Sequence, residues 1–308
     1  MKIPIMQSRE WQKLQSDLNE TSFLKQGENF QYLAILNKTP VGNYLYCPYG
    51  PVAENKVSFN RSIKSLKELA KEQQAFFIRI EPFTDNLLSA STKNLKKTTD
   101  LNPKETWLLD LTGENIQENL PSRLVRYHKN AAKNNLTIEK SHNKEDIKYL
   151  IKLQNDLASK KGISTFSENY LKTEASQPFS TIYLVKYQSP DAKITEVVAA
   201  GLVFDDKDTR YNLQGAQSEQ GRALHATGIL TIQLILDAKE KNLKTFDFWG
   251  ITPENAPKNH PWAGFTNFKK TFKGSQFNHA GTYDLVLDSK KYTFYKVLRK
   301  INRLIRKF

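Results

Sequence analysis

Lys269 is a lysine with several aromatic neighbours in the sequence. Phe268 precedes it, Phe272 follows three residues later, and Trp262 lies seven residues before it. Side chains of this kind would partly remove the ammonium from water, and a partly desolvated cation stabilises an oxyanion more strongly. The pattern therefore identifies Lys269 as a candidate cation for stabilising negative charge, whereas the adjacent Lys270 is equally typical of an exposed Lys-Lys pair.

The sequence lacks the common motifs of nucleotide hydrolysis and covalent catalysis. It contains no G-x-x-x-x-G-K-[ST], no G-x-G-x-x-G and no G-x-S-x-G. The single cysteine, Cys47, lies in an apolar and aromatic run that is typical of a buried thiol. No Cys and His residues have metal-ligand spacing, so we predict neither a metal nor a cofactor. An enzyme of this kind must receive a substrate that is already activated.

Four short stretches follow one another along most of the chain. They are Gly50-Pro51-Val52, Glu81-Pro82, the segment from Asp247 to Ile251 (DFWGI) and the segment from Phe268 to Gly274 (FKKTFKG). In this order and spacing they resemble the Fem family of peptidoglycan peptidyltransferases.

The resemblance implies a reaction, its substrates and a fold. The donor would be an aminoacyl-tRNA, used as a co-substrate, and the acceptor lipid II or UDP-MurNAc-pentapeptide. An amine of the stem peptide would attack the aminoacyl ester and receive Gly, Ala or Ser, which builds the interpeptide bridge. The chain would form two tandem domains that resemble GNAT acyltransferases. Larger family members carry a coiled-coil arm, and no heptad run for one is present.

The matching positions imply two catalytic residues. Lys269 matches the lysine of the family's F-K pair and is the predicted oxyanion-stabilising residue, with Phe268 beside it as a substrate contact. Glu81 matches an acidic residue proposed as the base or as the group that positions the attacking amine. A structural role for Glu81, as a cap or as an ion-pair partner of Arg79, is the alternative.

The acceptor is predicted to contact three further residues. Tyr211 matches a family tyrosine near the acceptor, although ordinary packing in a sheet would also explain it. Lys25 and Lys161 are the predicted contacts to phosphate. The sequence departs from the family here, since residues 23–29 lack the usual Trp and Phe166 stands where some members have Arg.

A net charge of +14, from 46 Lys and Arg against 32 Asp and Glu, attracts polyanions such as tRNA. A Lys-rich surface that only keeps the protein in solution is the alternative. Four basic residues fall within about 120° of one face of a predicted helix. These predicted tRNA contacts are Arg123, Arg126, Lys129 and Lys133. A solvated helix face would show the same pattern.

The last predicted helix, over 292–308, is basic and amphipathic. Its apolar side would carry Phe294, Val297, Leu298, Ile301, Leu304, Ile305 and Phe308, and its basic side Lys296, Arg299, Lys300, Arg303, Arg306 and Lys307. This shape suits peripheral contact with the inner face of the plasma membrane. Docking of the apolar side onto the first domain is the interpretation that we favour.

Hydrophobic periodicity predicts the order helix, strand, strand, helix, strand in each half of the chain. The main strands are predicted over 32–36, 41–46, 75–80, 107–111, 182–187, 197–204, 210–213, 245–249 and 282–287, and the main helices over 59–74, 116–134, 146–160 and 223–241. This order predicts an α+β fold with mixed sheets and flanking helices. We expect one domain over 1-113 plus 286-308 and another over 114-285. No apolar run is long enough to span a membrane and no secretory leader is recognisable, so we expect a cytoplasmic protein.

Two other functions fit parts of the sequence. A GNAT-type acyl-CoA N-acyltransferase needs a [QR]-x-x-G-x-[GA] loop at a helix N-terminus to hold pyrophosphate. The corresponding stretch, 217–223, misses this spacing by one residue. A non-catalytic protein that binds tRNA or a cell-wall precursor is the other alternative.

Overall fold

The structure is a computed structural model that describes residues 2–88, 95–162, 164–191, 193–257 and 259–305. Its contacts divide the chain into two compact units. Unit 1 comprises Met1–Lys104 with Asn278–Phe308, and unit 2 comprises Glu105–Phe277. No helix among the described residues combines the length and the apolar character needed to cross a membrane.

Unit 1 is built on a mixed sheet covered by helices. Its strands, numbered along the whole chain, are β1 Ser22–Gly27, β2 Phe30–Thr39, β3 Gly42–Cys47, β4 Val52–Ala53, β5 Ala75–Ile80, β6 Leu95–Lys97 and β14 Tyr283–Val286. Its helices are α1 Arg9–Asp17, α2 Lys56–Glu72 and α9 Ser289–Ile305. The strands follow the order β1-β2-β3-β5-β14-β6, with β4 paired to β2. Cys47 is fully buried in this core, as its apolar neighbours predicted.

Helix α2 begins at a capping box. The side chain of Asn55 accepts hydrogen bonds from the N–H groups of Val57 and Ser58, and Ser58 Oγ accepts from Asn55 N. Such reciprocal bonds satisfy N–H groups that the helix itself cannot pair. Phe59 and Leu66 then bury one face of α2 against the sheet.

Unit 2 contains the larger core. Its strands are β7 Glu105–Asp110, β8 Leu136–Ser141, β9 Ser180–Gln188, β10 Thr195–Asp205, β11 Thr209–Gln217, β12 Thr245–Gly250 and β13 Ser275–Asn278. Its helices are α3 Ser122–Lys129, α4 Ile147–Lys161, α5 Glu168–Ser176, α6 Glu219–Ala223, α7 Ala226–Glu240 and α8 Ala263–Lys270. The strands follow the order β13-β7-β12-β11-β10-β9-β8. The predicted α+β class, with mixed sheets and flanking helices, is confirmed.

The division into units differs from the expected 1-113 plus 286-308 and 114-285 in the placement of two strands. β7, expected in the first domain, pairs with β12 in the sheet of unit 2. β14, expected mostly in the second domain, lies between β5 and β6 in unit 1. A local pattern predicts that a strand exists but not which distant strand it joins, so the expected boundaries need this correction.

The stretch 116–134, predicted as a helix, forms three short pieces. Ile116–Asn119 and Ala132–Asn134 are single 3-10 turns on either side of α3. Pro121 precedes α3 as its N-cap, and Asn135 ends the last piece with a left-handed φ of 56°. Pro121 therefore separates two shorter pieces rather than lying inside one helix.

Each unit contains a parallel pair of strands, and the two pairs differ. β3 and β5 pair from Asn43 opposite Ala75 to Cys47 opposite Ile80. β11 and β12 pair only as far as Tyr211 opposite Asp247, although both strands continue. β11 and β12 therefore separate beyond Tyr211 and Asp247, which leaves an opening in the sheet of unit 2. In the sheet of unit 1, β3 and β5 stay paired up to Cys47 and Ile80.

Candidate active site

Strand β12 ends in a bulge at the point where it leaves β11. Its register with β7 shifts between Asp247 and Gly250. Trp249 adopts a left-handed conformation with φ 66°, and its N–H donates to Asp247 Oδ1 over 2.7 Å. This turn fixes the Asp247 carboxylate at the opening between β11 and β12.

Lys269 lies in the last turn of α8 and reaches this bulge. Its Nζ donates to the carbonyl oxygen of Gly250 over 2.6 Å. Burial lowers the pKa of the ammonium from its ordinary 10.5 to about 8, and the negative charge of Asp247 opposes that shift. An ammonium has three N–H donors, so the bond to Gly250 leaves donors for a substrate oxygen. Lys269 is therefore a half-buried cation that is still mostly protonated at neutral pH.

Two sets of contacts hold α8 in place. Thr266 Oγ1 accepts from the N–H of Thr252 over 2.8 Å, which ties α8 to the segment after β12. The ring of Phe268 meets Phe272 edge-on, with centroids 5.5 Å apart, and Phe272 lies 4.8 Å from Phe248. The structure thus places Phe268, a predicted substrate contact, against the core of unit 2, where it orients α8.

The glycine of the FKKTFKG stretch permits a close backbone approach. A Cβ atom on Gly274 would lie 2.3 Å from the carbonyl oxygen of Leu108 and 2.7 Å from Trp107 Nε1. Trp107 Nε1 donates to the carbonyl oxygen of Phe272 over 3.3 Å. The chain after α8 can therefore lie directly against β7 only if residue 274 has no side chain.

Tyr211 stands on β11 opposite Asp247. Its hydroxyl donates to Asp206 Oδ2 over 2.7 Å, and its ring meets Trp249 edge-on with centroids 6.3 Å apart. Tyr211 and Lys269 therefore lie at the same opening in unit 2, linked through Asp247 and Trp249.

Glu81 follows β5 in unit 1 and is 2% exposed. One carboxylate oxygen accepts from Tyr46 Oη at 2.9 Å, from Asn102 Nδ2 at 2.8 Å and from Tyr49 N at 3.3 Å. The other accepts from Thr282 Oγ1 at 2.8 Å and from Asn102 N at 3.2 Å. Both oxygens are thus bonded to protein donors, so action as a base would require one of these bonds to be lost.

The Gly50-Pro51-Val52 stretch packs beside Glu81. The N–H of Glu81 donates to the carbonyl oxygen of Gly50 over 2.8 Å. Gln7 fills the space next to Gly50, where an added Cβ would lie 2.4 Å from its side chain. These two stretches therefore form one cluster in unit 1, while DFWGI and FKKTFKG form another in unit 2.

Arg79 does not pair with Glu81. Its guanidinium donates to both oxygens of Asp284 on β14, over 2.7 and 2.8 Å, and the pair is buried. The ion-pair alternative for Glu81 is therefore wrong, because the partner of Arg79 comes from the end of the chain.

The two lysines predicted to contact phosphate do not join these clusters. Lys25 is exposed on the edge strand β1, three strands away from β5 in the sheet order. Lys161 ends α4, and its side chain lies outside the part that the structure describes. Phe166 is exposed and stacks on Tyr170 with centroids 5.0 Å apart.

The four residues predicted to bind tRNA are exposed in unit 2. Arg123, Arg126 and Lys129 lie on α3, whereas Lys133 lies on the separate 3-10 turn. Arg123 Nε donates to Tyr127 Oη over 2.8 Å. The guanidinium groups of Arg123 and Arg126 lie 5.3 and 5.8 Å from the centroid of the Tyr127 ring. Since α3 ends at Lys129, Lys133 does not continue its helical face.

The residues that position Lys269 were not predicted from the sequence. Asp247 and Gly250 belong to the DFWGI stretch, but no local pattern assigns them a role, and none predicts α8 or the contact between Thr252 and Thr266. In the described ranges, no three His, Cys, Asp or Glu residues are grouped to hold a metal.

Comparisons with known proteins support the fold. The sequence model of the FemAB family matches residues 4–170 and 116–300. A search of curated proteins found no match. The crystal structure of FemX is similar with a TM-score of 0.78 at 19% identity, over 94% of each chain. The C-terminal domain of a putative lysylphosphatidylglycerol synthetase from Agrobacterium fabrum gives 0.62 at 13% identity, over 95% of this chain and 92% of that one. A tandem GNAT protein from the clavulanic acid biosynthesis pathway gives 0.51 at 9% identity, over 86% and 83%.

At these identities the solved structures show the fold alone, and they confirm the predicted tandem GNAT-like arrangement. The family match goes further, because together its two segments cover nearly the whole sequence. The resemblance found in the four short stretches is confirmed, and the chain belongs to the FemAB family.

Proposed function

We propose that this protein moves Gly, Ala or Ser from an aminoacyl-tRNA to the stem-peptide amine of lipid II or UDP-MurNAc-pentapeptide. Family membership supports a peptidoglycan bridge-forming aminoacyltransferase. The observation that carries the proposal is the half-buried Lys269 ammonium at the opening between β11 and β12. The reaction takes place in the cytoplasm, where charged tRNA is found.

The chemistry needs a positioned cation and no further activation. The stem-peptide amine attacks the ester carbonyl, and an oxyanion forms as the carbonyl double bond opens. Lys269 donates a hydrogen bond to that oxygen and stabilises its charge. Collapse of the intermediate forms the amide and expels the ribose oxygen, which takes up the proton that the amine has lost.

The surroundings of Lys269 suit an ester group. The opening begins at Tyr211 and Asp247, and the Trp249 ring lies at its edge. Tyr211 contacts the acceptor in this proposal. Glu81 acts as a positioning residue, since its carboxylate holds Tyr46 and Asn102 in fixed places. Lys25 and Lys161 contact the acceptor's phosphates.

The basic residues Arg123, Arg126, Lys129 and Lys133 bind phosphates of the tRNA. Arg123 and Arg126 approach the Tyr127 ring, which itself stacks on His225 with centroids 4.4 Å apart. These contacts hold the two guanidinium groups near one place on the surface, which lowers the entropy lost when they bind a phosphate backbone.

A transfer assay tests the proposal. Purified protein is mixed with tRNA charged with radiolabelled Gly, Ala or Ser, and with either acceptor. We expect label to move to one acceptor, and Lys269→Met to lower the rate at least about 100-fold. Lys270→Met is the matched control, because the neighbouring Lys270 is exposed.

Two outcomes would contradict the proposal. One is no transfer to either acceptor with both common types of stem peptide. The other is a Lys269→Met variant that transfers label as fast as the Lys270→Met control. A protein that binds tRNA without catalysis would give the first outcome while retaining tRNA binding.

The similarity to a tandem GNAT protein favours an acyl-CoA N-acyltransferase as the second candidate. In the stretch 217–223, however, Ser218 Oγ accepts from the N–H of Gly221 over 3.0 Å and caps the short helix α6. That N–H is one of the donors that a pyrophosphate would need. Micromolar binding of CoA in calorimetry, with acetyl transfer from acetyl-CoA, would favour this candidate over the tRNA-dependent one.

A further inference from the structure

Helix α9 docks onto unit 1 through two tyrosines. Tyr292 and Tyr295 are buried, and the centroid of each ring lies 5.3 Å from the centroid of the Phe77 ring. The Tyr292 hydroxyl also donates to Asp284 Oδ2 over 2.8 Å. The docked side of α9 is therefore the tyrosine side. On the side predicted to be apolar, Leu298 is half-buried and Phe294, Val297 and Ile301 are exposed, while the side chains of Leu304, Ile305 and Phe308 lie outside the part that the structure describes.

The opposite side of α9 exposes an apolar stripe. Phe294, Val297 and Ile301 are 57%, 49% and 46% exposed. At about 100° per residue, they point roughly 150° away from the two tyrosines. Exposed apolar residues in a continuous row are unusual on a protein surface and mark a place of contact.

Lysines border this stripe. Lys96 from β6 joins Lys296 and Lys300 in lining a groove that also includes Val297. The ammonium groups of Lys96 and Lys296 both lie near the Tyr292 ring, 5.5 and 5.7 Å from its centroid. Three like charges around one groove repel one another, and an anion between them would relieve that repulsion.

We propose that this tail surface, formed by Phe294, Val297, Ile301, Lys96, Lys296 and Lys300, binds an anionic phospholipid bilayer. The apolar stripe enters the boundary between headgroups and acyl chains, and the lysines contact lipid phosphates. A nucleic acid would need the lysines but not the apolar stripe, so the combination favours a membrane. The binding is reversible, because one short stripe buries few apolar groups.

Co-sedimentation of the full chain with vesicles tests this surface independently of transfer activity. We expect binding to phosphatidylcholine vesicles that contain phosphatidylglycerol, and at least about tenfold weaker binding to pure phosphatidylcholine. Lys296→Gln with Lys300→Gln should weaken binding about 30-fold, at about fivefold for each lysine near the surface. Phe294→Ser, Val297→Ser and Ile301→Ser together should weaken it at least about tenfold.

The matched control changes α2 in the same unit. Val57 is 62% exposed, and Lys64 and Lys67 are exposed on the same helix. Val57→Ser with Lys64→Gln and Lys67→Gln makes comparable substitutions and should leave vesicle binding unchanged. All variants change exposed side chains, and thermal unfolding verifies that they fold.

Three results would overturn the proposal. The first is no binding to anionic vesicles. The second is equal weakening by the tail variants and the α2 control. The third is a lysine variant that loses tRNA binding but keeps vesicle binding, which would assign the tail surface to nucleic acid.

Discussion

The two units share an order of elements but differ in how many hydrogen bonds the protein makes to one charged group at the end of the parallel strands. In unit 1 the parallel strands β3 and β5 stay paired, and the Glu81 carboxylate beyond them receives five hydrogen bonds from the protein. In unit 2 the parallel strands β11 and β12 separate, and the Lys269 ammonium at the opening donates to one backbone carbonyl. A buried carboxylate whose two oxygens are both hydrogen-bonded to the protein stabilises the scaffold. A half-buried ammonium that uses one of its three N–H groups can donate the others to a substrate.

The largest effect that this comparison predicts is on stability, at Glu81. Glu81→Ala removes the acceptor for Tyr46 Oη, Asn102 N and Thr282 Oγ1 in a largely buried cluster, although Asn102 Nδ2 keeps its bond to Tyr46 Oη. We expect the free energy of unfolding to fall by about 3–5 kcal/mol. Urea unfolding measures it, with Glu20→Ala as the control because Glu20 is exposed in the same unit.

A loss of transfer without a loss of stability in the Glu81→Ala variant would contradict this comparison. If Glu81→Ala unfolds at the same urea concentration as the control and yet has lost transfer, Glu81 acts on the substrate. Glu81→Gln sharpens the test, because it keeps the shape of the side chain while removing its capacity as a base.

Glu174, in α5 of unit 2, is a buried carboxyl with fewer partners than Glu81. Tyr170 and Gln214 donate to it, the latter over a long 3.5 Å, and its Oε1 has no partner in the described ranges. Burial raises the pKa of Glu174 from 4.5 to about 8, and the two hydrogen bonds oppose that shift. Near neutral pH the Glu174 carboxyl is therefore mostly protonated in the folded protein.

A pH series on Glu174→Gln tests this contrast. Above pH 4.5 the unfolded chain releases the Glu174 proton while the folded protein keeps it, so the stability that this group contributes falls as pH rises towards 8. The slope is at most about 1.4 kcal/mol per pH unit. We expect the variant to gain stability relative to the wild type between pH 5 and 8, measured by urea unfolding. Parallel curves for the two proteins would show that Glu174 is ionised in the folded state.

The smallest effect concerns the pH dependence of transfer. With a pKa of about 8, Lys269 loses its proton, and with it the positive charge, across the alkaline range. At pH 8 about half of the molecules keep the ammonium, so above that pH kcat/KM should decline relative to that of a permanently charged variant, which only gains rate as the attacking amine loses its proton. Lys269→Arg stays charged, and its residual activity should show no such decline. A profile that rises smoothly to pH 10 in both proteins would remove the cation from the mechanism.

Local patterns predicted much of the fold. The run 75–80 is β5 to the residue, because five of its six residues are apolar and it ends at Glu81-Pro82. The prediction of one helix over 116–134 was wrong, because Pro121 precedes α3 as its N-cap and separates it from the 3-10 turn before it. Strand β1 was missed, since Lys25 and Gln26 make its outer half polar and exposed.

Of the candidate site, the sequence pointed to individual residues but not to the contacts that place them. The resemblance pointed to Lys269, but its burial depends on the bulge at Trp249, where a large residue adopts a left-handed backbone. Helix α8 was missed because its eight residues include Gly264 and no clear helical period. The five donors around Glu81 come from segments up to 201 residues away along the chain, and no local pattern contains such contacts.

The position of β14 in the sheet of unit 1 has a consequence for biosynthesis. β14 supplies Asp284 to Arg79 and lies between β5 and β6, yet it follows all of unit 2 in the chain. A ribosome therefore releases every strand of unit 2 before unit 1 can complete its sheet. During translation we expect the later unit to reach its native state first, while the amino-terminal half remains open and in need of protection from aggregation.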